Sequence, residues 1–156
     1  MEPVNVATYT LHTLFAGFWT GSVLFVALAI VPLARDGNLN AAPLDAITGT
    51  LTTISRVSAV VLFVTGSHMA AVRYTAETLI GQTNGQLVIV MLALWLVLMV
   101  TVEIGAKKLT NGTERDKVRE PARKARPFFL VASLSGALLL VTAGLISAAN
   151  LGFLTL

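Results

Sequence analysis

The chain has 156 residues, of which 55% are hydrophobic and only 12% charged, with a mean hydropathy of +0.79. A soluble domain of this size cannot hide so much apolar surface, so composition excludes a soluble globular protein and points to an integral membrane protein with a single transmembrane domain. The absence of cysteine excludes disulfides, thiolate metal sites and cysteine nucleophiles, and the net charge of +3 is no mark of nucleic-acid binding, because eight of the 11 Lys and Arg fall between Lys107 and Arg126.

The apolar residues come in blocks of about 20, the length that crosses a bilayer. The first expected span runs from about Ala7 to Leu33, ended by Pro32 as a helix breaker and Arg35 as an anchor. Glu2 is the only charge before it, so no cleavable signal peptide is expected there. A polar loop from Asp36 to Thr50 follows, with Gly, Asn and Pro as turn formers. The second span covers about Ile54 to Val72 and is closed by Arg73 and Tyr74. After a short polar connector, Thr75 to Gly85, the third span covers about Gln86 to Ala106. The basic stretch comes next, with Pro121 and Pro127 around its last part, and the fourth span runs from about Phe128 to Ala149.

Each span is expected to be helical, since lipid offers no partner to an open backbone. Short connectors make sequential helices antiparallel, so the expected fold is all-α, an up-down four-helix bundle. Gly17, Gly21, Gly66, Gly136 and Gly144 are candidates for close helix packing. The Lys/Arg excess between spans three and four makes that loop cytoplasmic, which puts both termini on the outer side. Glu103 sits near the cytoplasmic end of its span with Lys107 four residues on, the spacing of a helix-surface pair.

His12 and His68 are the only histidines, and each lies in a span. Counted from the expected span ends at 1.5 Å per residue, both are on the order of 8 Å below the outer boundary. Two costly imidazoles at one depth point to a heme or metal site. Neutral imidazole is an axial ligand of b-type heme and also binds copper. Phe15, Ala16, Trp19 and Val23 stack with His12, and Val61, Val64, Thr65 and Ala71 with His68. Thr65 is placed to accept the second N–H of His68, and Arg73 to pair with a heme propionate. The metal ligands on this reading are His12 and His68. With no cysteine to serve copper(I), b-type heme held by both histidines and passing electrons is the leading expectation. Copper on the same histidines, with Met91 as a possible third ligand, is the alternative. A third is a structural subunit whose histidines only bond across helices.

His12, Trp19, Gly21 and Pro32 together resemble the first helix of the copper resistance D (CopD) family, with its His, Trp-x-Gly and closing Pro. Arg56, Gly66 and His68 in the second span, and Gly85-Gln86-Leu87-Val88 before the third, are similar to the family as well. Met91 stands where the family often has Lys. The resemblance implies copper handling or heme redox chemistry, and in the related HemJ-type four-helix oxidases a first-helix His corresponding to His12 binds b heme. The expected setting is the cell membrane of a prokaryote. Expected partners are the lipid bilayer, a redox partner or other membrane subunits, and a second copy in a homo-oligomer; no nucleic acid is expected.

Overall fold

Lipid leaves the backbone no outside hydrogen-bond partner, and the chain answers with helix almost throughout. In the computed structural model, which describes residues 2–153, there is no strand among the described residues. Four helices are long and apolar enough to cross a membrane: α1 (Pro3–Asp36), α2 (Ala41–Arg73), α4 (Thr83–Thr113) and α5 (Arg119–Asn150). A short helix, α3 (Ala76–Gly81), lies between α2 and α4.

All four long helices overrun the expected spans, and prolines explain why the sequence hid this. Pro43 and Pro121 fall in the first turn of α2 and α5, where a missing N–H costs nothing because that N–H has no intrahelical partner. Pro32 does not end α1. The helix widens into a π turn over Val26–Ile30, with Val31 N–H reaching the Val26 carbonyl, and this local change of pitch comes just before the ring. Pro127 is likewise inside α5. The expected loop Asp36 to Thr50 shrinks to the few residues between α1 and α2. Gly37 closes α1 in a left-handed conformation (φ 82°), with Asn38 N–H on Leu33 O and Gly37 N–H on Ala34 O, a Schellman turn that glycine favours.

Side-chain contacts fix an antiparallel register between neighbours. On α1 and α2, Asn5 meets His68 and His12 meets Thr65. On α2 and α4, Phe63 stacks on Trp95, Arg56 pairs with Glu103, and Asp45 accepts from Thr113. On α4 and α5, Gly105 packs on Phe129 and Gly112 on Pro121. The ring closes where α5 returns to α1, with Gly136 against Thr20 and Arg119 against Gly37. The result is an up-down bundle of four helices. One end carries the basic residues and the other carries the histidines.

The buried stripe of α2 reads Leu44, Thr48, Leu51, Ser55, Ser58, Leu62 and Thr65, the alternating three- and four-residue steps of a helix face turned to its neighbours. Trp19, Val23, Val31, Leu98, Val102, Leu109 and Phe129 fill the centre. Of the glycines expected to draw helices together, Gly66 and Gly136 do so, whereas Gly17, Gly21 and Gly144 have no neighbouring atom within 4 Å of an added Cβ. Gly105 and Gly112 take that role instead, letting α4 and α5 close on each other near the basic end. Gly85 serves α3: a side chain there would run into the Thr78 and Leu79 carbonyls.

Glu103 does not pair along its own helix with Lys107. It takes both N–H groups of Arg56 across the α2–α4 seam, Nε to Oε1 at 2.7 Å and Nη2 to Oε2 at 3.0 Å. The planar fork of arginine matches a carboxylate better than a lysine ammonium does.

Candidate metal centre at the histidine end

The two histidines lie on the seam between α1 and α2, and each is tied across it by one ring nitrogen. His12 Nδ1 is 2.8 Å from Thr65 Oγ1. Thr65 donates its hydroxyl proton to the Val61 carbonyl at 2.7 Å, so toward His12 its oxygen is an acceptor and His12 Nδ1 carries the proton. His68 Nε2 is 3.2 Å from Asn5 Oδ1, an acceptor, so Nε2 is the protonated nitrogen there. The two rings are thus held through opposite nitrogens, His12 by Nδ1 and His68 by Nε2. His12 Nε2 and His68 Nδ1 have no hydrogen-bond partner, and an imidazole oriented through one nitrogen is the kind that binds a metal through the other.

Two details differ from the sequence reading. Thr65 holds His12 rather than His68, and the partner of His68 is Asn5. The two histidines are also offset: His12 is level with Thr65 and Gly66, one turn of α2 short of His68, or about 4.5 Å along the axis. Counting from apparent span ends could not detect a shift of one turn. Asn5 was missed, although it stands seven residues before His12 and thus on the same helical stripe, with Trp19 seven residues beyond.

The positions of these residues lend no support to a heme macrocycle between the two histidines. His12 Cε1 lies 3.1 Å from where a Cβ on Gly66 would stand, so the imidazole is seated against the α2 backbone. Gly66 is the recess that admits the ring. Trp19, expected to wall a heme, is 1% exposed and sits in the core of the bundle, with Phe15 and Ala16 packed against that core. Arg73, expected to meet a propionate, is exposed at the end of α2, the usual place of an anchoring arginine. Among the described residues there is no group of three or more His, Cys, Asp or Glu side chains that could hold a metal ion.

Fold and seam together define a multi-pass, all-helical membrane protein with two imidazoles set into one end of its bundle. The chain belongs to the CopD family, copper resistance protein D, which it matches over residues 45–149. That stretch holds nearly all of α2, α4 and α5, with Thr65, Gly66 and His68, but not α1 with Asn5, His12 and Trp19. No curated protein and no solved structure matches the chain.

Proposed function

We propose that this CopD-family protein handles copper as cargo, taking up the ion at His12 and His68 near one face of the membrane for transport or delivery. The observation that carries this reading is the pair of unpartnered nitrogens, His12 Nε2 and His68 Nδ1, each oriented by a hydrogen bond on the opposite ring nitrogen. Copper binds imidazole readily, and a bundle interior shields the ion from water and competing anions. The two-histidine site without cysteine favours passage over storage, because two ligands hold an ion less firmly than a closed set of three or four. The family relation supports copper as the cargo.

The basic end is assigned to the cytoplasm on its Lys/Arg excess, in the plasma membrane of a prokaryote. The histidines then face outward, and copper arrives from outside. Copper titration of the purified protein in lipid nanodiscs, with chelator competition, tests the reading. Wild type should bind copper, and His12→Ala and His68→Ala should each lose it while remaining folded.

A second reading, a structural subunit, draws on the same two bonds, since each histidine ties α1 to α2. It predicts that wild type binds no copper and that the two variants differ from it only in thermal stability.

A further inference from the structure

Most hydroxyls in this bundle are satisfied by their own helix. Thr48, Thr50, Thr52, Thr53 and Thr65 on α2, and Thr142 on α5, each donate to the carbonyl four residues back. Ser55, Ser58 and Ser133 do not: their Oγ atoms are buried and have no protein partner, and the same holds for the indole Nε1 of Trp19. Trp19 is 1% exposed, Ser55 2%, Ser58 0% and Ser133 8%.

These four orphans fall within about one helical turn of one another along the bundle axis. His12 meets Thr65, and seven residues along each antiparallel helix bring Trp19 opposite Ser58. Ser55 is one turn further toward the basic end. Thr20 packs on Gly136, which sets Ser133, a turn earlier on α5, at about the depth of Ser55. Three helices thus contribute one obligate donor and three groups that donate and accept. Leu62 lies next to them on the histidine side and Leu51 on the basic side, with Val23 at the depth of Ser133, all buried. An unpaired polar group in a membrane interior is costly, and native structures meet the cost with a partner or an internal water.

We infer that Trp19, Ser55, Ser58 and Ser133 hold a small cluster of ordered water inside the bundle, a hydrated site two helical turns below His12 and separate from the histidine pair. It depends on no assumption about copper. The indole N–H donates to water, and the serine hydroxyls accept from it and donate to it, so each of these polar groups gains a partner without distorting its helix.

The test uses full-length protein labelled with 15N-tryptophan, carrying Trp95→Phe so that Trp19 is the only tryptophan. The expected result is a cross-peak between the Trp19 indole proton and long-lived water, lost in the Ser58→Ala/Ser133→Ala background, with a downward shift of the unfolding temperature in that double variant. Absence of the water cross-peak from the Trp95→Phe protein would overturn the inference. A double variant more stable than its parent would overturn it as well, because removing truly unpartnered hydroxyls is favourable whereas removing water ligands is not. Should the double variant fail to fold, the Trp95→Phe spectrum alone decides.

Discussion

The two ends of the bundle use polar residues in opposite ways. Away from the histidines several polar groups are paired with one another: Arg56 and Glu103 form a two-point ion pair part-way along the bundle, and nearer the basic end Lys124 reaches Glu120, Arg35 reaches Asp36, and Thr113 donates to Asp45. At the histidine end each imidazole has one nitrogen tied and one free. Saturated contacts fix helices in place, while half-used contacts leave room for a ligand. On the proposed function the contrast assigns chemistry to the histidine end and architecture to the basic end, although the basic end carries far more charge.

The sharpest way to break the contrast is to damage each end separately. Gly112→Ala at the basic end would drive a Cβ into Pro121 and, as an overpacking change, should destabilise the bundle by about 1–3 kcal/mol. Thermal unfolding in detergent should show this, with copper bound per folded molecule unchanged. Copper loss out of proportion to unfolding would show that the ends are coupled.

Thr65→Val removes the acceptor that fixes the His12 tautomer but keeps the shape of the side chain. Copper affinity should fall about 10- to 100-fold, as for other partners that orient a metal-bound histidine, and Thr65→Ser should largely restore it. Equal weakening by valine and serine would point to packing instead of the hydrogen bond.

Asn5→Ala should act on His68 in the same direction but less, since its bond is longer, 3.2 Å against 2.8 Å. Smallest of all, Arg56→Ala should lower stability modestly and leave copper binding alone, because that pair is exposed on the outside of the bundle. Exchanging the charges, Arg56→Glu with Glu103→Arg, should recover part of the loss, as a double-mutant comparison would reveal.

The four spans were legible because a bilayer demands about 20 apolar residues in a row, a signal that hydropathy reads directly. The helical continuation beyond the membrane was not. Pro43, Asn40 and the threonines of residues 48–53 look like turn chemistry in sequence, yet a proline in a first helical turn and threonines that bond their own helix are equally compatible with helix. The adjacency of α1 and α2 followed from their short connector, and depth put both histidines toward one end of that pair. The identity of each partner depended on a register set by Gly66, whose missing side chain admits the His12 ring, and one glycine among 12 carries no label in the sequence to say which neighbour it receives.

The most direct measurement is copper K-edge X-ray absorption on the copper(I)-loaded protein in nanodiscs, compared with His12→Ala. Nitrogen neighbours with the outer-shell scattering of imidazole, lost or halved in the variant, are the predicted result. A first shell dominated by sulfur, with Met69 or Met91 as its source, or a spectrum unchanged by His12→Ala, would contradict the assignment of the two histidines as the copper site.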